Sequence, residues 1–504
     1  CGDCNNLKIE CRYGSKPEWM DGGDRQKHRA LSLKDEIKRN AARGREKAQS
    51  HNGASFDFAS QQYNIISDIT IDNDMSSVPR PTAAIKSKNE TLLPRDKKTL
   101  DQEPTLLDTL PWSHQQHHRS DTLEQASASE WNFIMKYLDF VFPALFPFYR
   151  PHIFDTGRSW LLLLLRKSRI AYHAALGLSC YYFTMALSDA DEGGEHAVCK
   201  YLRWDEVERE TEKCFESLRT DIIALNLKSG SMPVAIQDKV DLMNSITQVI
   251  IFEMAMGSSA PWNTHLPAAI TLFEEIMASP AARPTYRGQP QSKFASVLLG
   301  IEDPLWTNPG PSNHIWSPSQ TGFRFCTGLL MFIDIIASTA LGETPRLLQY
   351  HSDVLAQIDD GLPAVGEAEI RLSGIVGCRN SVARSIAEVS SIISWKQTLE
   401  YGIQDVLQVM DRACDVSVTQ GDNIRDIQRS LAAGSNPSSS SILTLVWALA
   451  AEIYRHTVTG GWDLGNTAIR DDVAQIVGLL NDVPSDHLCT VAWPICVAGC
   501  FAME

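Results

Sequence analysis

Residues 160–187 read WLLLLLRKSRIAYHAALGLSCYYFTMAL, and this stretch decides the fold class. Its apolar residues recur at helical spacing, without the strict alternation of a half-buried strand. Residues 170–187 contain no Asp, Glu, Lys or Arg. Their length sits at the lower margin of the about 17–25 residues that a membrane span needs. His173, Ser179, Thr184 and the tyrosines Tyr172, Tyr181 and Tyr182 argue against a span. Such groups are costly in lipid but find hydrogen-bond partners inside a protein. The stretch therefore reads as a buried core helix, with no membrane partner. His173 reads as a core histidine with a satisfied ring rather than a ligand or base.

The same texture runs on both sides. Apolar segments at helical spacing recur at 131–142, 204–227, 236–256, 268–277, 323–341, 370–395, 403–414, 442–456, 469–480 and 488–502. Alternating runs bounded by turn residues are scarce, so the fold class is all-α, with one large helical domain over 129–504. Residues 279–320 are rich in Pro, Gly and Ser and read as an internal loop. Pro494 interrupts the last apolar run. Cys496 and Cys500, one helical turn apart, read as buried apolar cysteines. Asp189, Asp191 and Glu192 stand beside Gly193 and Gly194 and read as a solvated loop.

Upstream, residues 51–128 are rich in Ser, Asn, Gln, Asp and Pro and read as a disordered linker. His114, His117 and His118 fall there as solvated residues. Residues 24–50 form a basic arm: positions 25–47 hold nine Lys or Arg against three acids, a charge of +6 within a chain of −15. The remainder therefore carries −21. That balance excludes a protein that coats nucleic acid along its whole surface, but is what a basic module on an acidic body gives. The arm has three readings, not mutually exclusive: contacts to phosphates, a nuclear import signal centred on Lys38-Arg39 and Arg43-Gly44-Arg45, or a solvated, partly helical linker. A chain of 504 residues has length for about three domains, and 43% hydrophobic residues supply a sizeable core. Twelve cysteines are too sparse for a disulfide scaffold. No G-x-S-x-G elbow, phosphate-cradling Gly-rich loop or H-E-x-x-H is present, so no enzyme is read.

The sharpest chemical signal lies in residues 1–23. Cys1 and Cys4 are spaced C-x2-C, and Cys11 follows after six residues. A C-x2-C turn brings two thiolates to one tetrahedral zinc, but three thiolates do not close a structural site. On spacing alone, half a zinc site and three free cysteines in a frayed terminus are equally open.

The surrounding residues, CGDCNNLKIECRYGSKPEWMDGG, resemble the second half of a fungal binuclear zinc cluster, a family with six cysteines in two half-motifs. Lys16-Pro17-Glu18-Trp19-Met20-Asp21-Gly22 is similar to its acriflavine-sensitivity control subgroup. Residues 137–149 (YLDFVFPALFPFY), Trp160 with Leu161 to Leu165, 171–176, Ser394-Trp395-Lys396 and Trp493-Pro494 through Gly499-Cys500 resemble the family's fungal-specific regulatory domain.

The resemblance implies a transcription regulator of RNA polymerase II genes in the nucleus, binding DNA through a cluster with two structural zinc ions. Cys1 would bridge both ions, and Cys4 and Cys11 would complete the second. Lys8, Arg12, Arg25 and Lys27 are the candidate phosphate contacts. The first three cysteines and the base-reading helix are expected upstream of Cys1, so the cluster in this chain is incomplete. The terminal Ala502-Met503-Glu504, following an apolar helix directly, is expected to be a second cut. Further partners implied are a second copy, the transcription machinery or a small-molecule effector, although no heptad repeat supports dimerisation. The competing reading is a helical ligand-binding or scaffold regulatory protein that does not itself bind DNA.

Overall fold

A computed structural model of the chain describes residues 123, 126–151, 157–190, 197–229, 234–257, 262–279, 292–302, 306–307, 314–357, 367–398, 403–433 and 439–502. In it the stretch 160–187 is not one helix. Helix α3 (Ser159–Lys167) stops at Ser168, whose backbone is extended, and α4 (Arg169–Ala190) begins at once. Ser168 Oγ accepts the Ala171 N–H at 3.2 Å, acting as the N-cap of α4. It also hydrogen-bonds Ser245 Oγ at 2.7 Å. The cap is one serine within the polar run Arg166-Lys167-Ser168-Arg169, a run short enough to pass for an exposed turn of a continuous helix.

Two earlier helices precede it. Ser127 and Glu130 form a reciprocal capping box at the start of α1 (Ala128–Lys136). A wider π turn over Tyr137–Val141 then leads into α2 (Phe142–Leu145). The widened turn lies directly ahead of Pro143, which lacks an N–H and would press on the carbonyl four residues back in a regular helix.

The next helices are α5 (Ala197–Ser229), α6 (Ile236–Ala255) and α7 (Trp262–Ala278). Within α6, residues 242–253 are buried without interruption. A helix buried around its whole circumference lies at the centre of its neighbours, and its buried polar residues Asn244, Ser245, Thr247, Gln248 and Glu253 are enclosed with the apolar ones. It packs on α3, α4, α5 and α7. Where 279–320 reads as loop, the structure forms α8 (Lys293–Ile301) and a two-residue antiparallel ladder, β1 (Trp306–Thr307) with β2 (His314–Ile315). Helix α8 is nine residues of KFASVLLGI, too short to register between Pro- and Gly-rich flanks. Ser292 Oγ caps it, and the Asp353 carboxylate accepts the N–H groups of Lys293 and Phe294 at 3.0 and 2.9 Å.

Helix α9 (Pro318–Leu341) ties the body together, since it packs on α3, α6, α7 and α8 and also on the later helices. Ser317 and Gln320 cap its start reciprocally, and Gly342 ends it in the left-handed region at φ 67°. It is long and apolar enough to cross a membrane, yet its apolar window is mostly buried inside the protein. Short turns of helix, α10 (His351–Val354) and α11 (Ser373–Val376), flank a parallel bridge between Leu355 and Ile370.

The C-terminal helices α12 (Asn380–Thr398), α13 (Ile403–Ala433), α14 (Ser439–Gly460), α15 (Thr467–Leu480) and α16 (Ala492–Gly499) gather on α14. Residues 442–451 of α14 are buried throughout. Pro494 does not interrupt a helix: it sits in the first turn of α16, where a missing N–H costs nothing. Cys496 and Cys500 are exposed rather than buried. With α16 only two turns long and lying at the surface, the face carrying both cysteines points outward, while Pro494 and Ala498 point in.

Candidate functional site

Cys1, Cys4 and Cys11, the cationic residues Lys8, Arg12, Arg25 and Lys27, the basic arm and the linker through residue 122 lie outside the described residues. The end of the segment read as disordered linker is ordered instead: Leu123 is buried and Ser127 caps the helix that begins at Ala128. The helical body can be built from its side chains upward.

The motif 137–149 forms an aromatic box with α3 and α9. Trp160 meets Phe325 at 4.7 Å between ring centroids, and Tyr149, Phe146 and Phe142 surround Phe325 at 5.0, 5.1 and 5.5 Å. Trp160 Nε1 donates to Tyr149 Oη at 2.8 Å. Tyr137 is fully buried, accepts a hydrogen bond from Gln248 Nε2 at 2.6 Å, and is pushed upward in pKa by burial. These rings fasten the first segment of the body to α6 and α9. The C-terminal motif does the same elsewhere: Trp493 stacks on Trp447 of α14 at 5.4 Å and donates from Nε1 to Thr339 Oγ1 of α9 at 2.9 Å. Both motifs do structural work.

His173 is satisfied, as expected. Its Nδ1 lies 2.7 Å from Glu210 Oε2, and Lys213 Nζ donates to the other oxygen at 2.8 Å. Burial would raise the Glu210 carboxyl, but the bonds from His173 and Lys213 outweigh it and hold the group below its usual range. This couple joins α4 to α5. Among the described residues no group of three or more His, Cys, Asp or Glu is placed to hold a metal.

One cleft, of about 70 Å³, opens between α3, α5, α6 and the first turn of α9. Its walls follow from helical spacing. Positions 160, 163, 164 and 167 form one face of α3, 221, 224 and 225 one face of α5, and 238, 241, 242 and 245 one face of α6. Trp160, Leu164 and Leu242 make the apolar wall, while Asp221, Asp238, Asp241 and Lys167 bring charge to it. Asn244, 5% exposed, also lines it, and its Oδ1 is buried with no hydrogen-bond partner among the described residues. Gly322 lets α9 approach: a Cβ there would stand 3.2 Å from the Trp160 ring. The sequence signal was D-x-x-D-x-x-N-S at 238–245, a polar stripe along a helix otherwise given to the core. It went unread because each residue alone passes for surface.

The described body is thus all-α, fastened by two aromatic clusters, with a small cleft between four of its helices. Residues 132–504 match the fungal specific transcription factor domain, and the chain belongs to that family. Over its whole length it is 28% identical to the transcription factor dibT of Pestalotiopsis microspora, covering 86% of that protein. It is 27% identical, again over its whole length, to the pestheic acid cluster transcriptional regulator 3 of Pestalotiopsis fici, covering 84% of it. Over 75% of its length it is 24% identical to a trichothecene biosynthesis transcription regulator of Trichoderma arundinaceum, covering 84% of that chain. No solved structure matches. The regulatory-domain family drawn from residues 137–149, 160–165 and 493–500 is thus the family of the chain.

Proposed function

We propose that the protein is a zinc-dependent, sequence-specific DNA-binding regulator of transcription by RNA polymerase II, acting in the nucleus on genes of a biosynthetic cluster. The observation that carries this reading is the conjunction of the family match over residues 132–504 with a C-x2-C-x6-C run at Cys1, Cys4 and Cys11 and a basic arm downstream, with nine Lys or Arg over positions 25–47. The relatives named for biosynthetic clusters supply the class of target gene.

Thiolate sulfur is the donor that structural zinc prefers, so the three cysteines fit zinc in kind while falling short of four in number. They would serve as one half of a cluster whose partner half carries the remaining ligands. Zinc there is structural: it fixes the fold of a short module so that a helix can enter the major groove. Lys8, Arg12, Arg25 and Lys27 would neutralise phosphates, releasing condensed counterions.

The test is a pair of measurements on the chain extended upstream to include the full cluster. Metal analysis should find about two zinc ions per chain, lost in Cys4→Ser. Fluorescence anisotropy on duplexes from neighbouring promoters should show tight specific binding with steep salt dependence. Lys27→Ala should lower the salt slope by about one while weakening all sequences alike. Zinc-free protein, or binding equal for all duplexes, overturns the proposal in favour of a scaffold that does not read DNA.

A further inference from the structure

Helix α13 is used by the body along one face only. Ala413, Val416, Gln420 and Ile427 are buried, and the helix packs on α12 and α14. To one side of that buried face runs a second stripe: Leu407, Asp411, Cys414, Val418, Gly421 and Arg425. Alternate steps of four and three residues keep all six on one line along a helix. Leu407 is 58% exposed and Val418 64%, Met410 beside them is 58% exposed, and Cys414 is exposed as well. They form an apolar row left to water, the kind of feature that marks an interaction surface.

The order of charge along the stripe says what covers it. Asp411 stands seven residues before Val418, and Arg425 stands seven after it. Seven residues are two turns, or about 10 Å. An antiparallel copy of the same helix, with the two-fold axis at Val418, sets Asp411 against the partner's Arg425 and Arg425 against the partner's Asp411. It also brings the two Val418 side chains together. A parallel copy would set aspartate on aspartate and arginine on arginine. The stripe is therefore complementary to itself in one direction, as a two-fold contact between identical chains requires. Asp411 makes no ion pair among the described residues. Arg425 donates from Nη2 to Asp422 at 2.6 Å and from Nε to the Gly421 carbonyl at 3.1 Å. That pair is exposed at both ends, so it is weak, and a guanidinium with five N–H donors can serve a second carboxylate.

Gly421 points the same way. A glycine inside a helix weakens it, yet a Cβ here would meet, among the described residues, only Arg425 Nη2 at 3.8 Å. Nothing in the described body asks for a glycine at this place, whereas a second helix crossing closely does. With Cys414 on the other side, small residues flank Val418 and let two helix axes approach.

We propose that α13 is the docking surface for a second copy of this chain, the two helices lying antiparallel about Val418. From Leu407 to Arg425 the face spans about 27 Å. One helix pair of that length is at the small end of specific interfaces, so the dimer is reversible, with a Kd of about 1–10 µM. The pairing belongs to the helical body and does not rest on the zinc or DNA reading.

Sedimentation velocity of the full 504-residue chain, from about 0.5 to about 50 µM, tests this. The parent chain should pass from monomer to dimer across that range. Val418→Asp, at an exposed position, should keep the thermal midpoint within about 1 °C and weaken the dimer at least about tenfold. Asp411→Arg and Arg425→Asp each set like charges together twice, and each should weaken it about five- to tenfold. The double variant carrying both exchanges should return to within about threefold of the parent. A parent chain that stays monomeric overturns the proposal. So does a Val418→Asp dimer with the parent's Kd, which places the contact elsewhere. A double variant no tighter than the single ones overturns the antiparallel pairing, and with it the choice of a second copy as the occupant.

Discussion

His351 shows how one side chain writes a pH dependence into the molecule. The ring is buried and neither nitrogen has a hydrogen-bond partner among the described residues. Burial, and secondarily the Arg384 guanidinium, hold its pKa down to about 4 against an ordinary 6.5. The unfolded chain therefore takes up a proton that the folded chain refuses. Stability contributed by the neutral ring is present above about pH 6.5 and is lost as pH falls toward 4. Between pH 7.5 and pH 5 that loss comes to about 2 kcal/mol. Two carboxyls work in the opposite sense. Burial lifts Asp334 and Asp472 to about 6, so each favours the folded state at low pH and loses that contribution as pH rises through its raised value. The measurement is consequently a difference. His351→Leu should stabilise the chain at every pH by removing two unmet nitrogens, and by about 2 kcal/mol more at pH 5 than at pH 7.5 in urea titrations. Parallel profiles for parent and variant would show that the ring is not the sensor.

Between helices, the joints carry constraints that periodicity does not announce. Gly377 ends α11 at φ 77°, and a Cβ there would stand 2.5 Å from the Phe148 ring. Phe148 in turn lies 4.9 Å from the His487 ring, so the contact chain crosses from the N-terminal motif to the C-terminal segment. Gly377→Ala combines an unfavourable backbone region with an overlap against aromatic carbon, and should destabilise by about 2–4 kcal/mol. Gly374→Ala, three residues earlier with nothing within 4 Å of its Cβ, is the control and should cost little. Similar joints explain what could be read from sequence and what could not. The long helices were legible because a 3.6-residue apolar period over fifteen or more positions has few other meanings. The division of 160–187 was not, because Ser168 breaks the helix through its own cap and a bond to Ser245, 77 residues away, and neither is visible in a periodic pattern. Helix α8 was not, because nine residues between Pro- and Gly-rich flanks give too short a signal. The exposure of Cys496 and Cys500 was not, because a two-turn helix shows one face to water whatever its composition. The cleft escaped because its walls come from four helices far apart in sequence, with only the stripe 238–245 local enough to see.

At the scale of the whole molecule, the described body is organised about one helix. Helix α9 is the common neighbour: Phe325 enters the aromatic box, Phe332 packs edge-on to Trp447 at 5.5 Å, and Thr339 receives the Trp493 N–H. The Asp334 carboxylate accepts the backbone N–H groups of Leu347 and Arg346 at 2.9 and 3.3 Å, fixing the chain beyond α9. A core organised about one buried helix should unfold cooperatively across both its ends, although a chain of this size can populate intermediates. Its stability should owe nothing to zinc. On the proposed function, a chelator such as EDTA added to the protein carrying the full cluster would strip thiolate-bound zinc and abolish specific DNA binding, whereas the midpoint of the main thermal transition would stay within about 1 °C. A metal ligand set in the body would instead lower that midpoint by many degrees, because the free energy of metal binding is folding free energy wherever the site exists only when folded. Calorimetry with and without chelator, followed by zinc re-addition, separates the two. Loss of DNA binding with an unmoved main transition assigns zinc to a module separate from the helical body, and a main transition that falls with chelation places metal in the helical core.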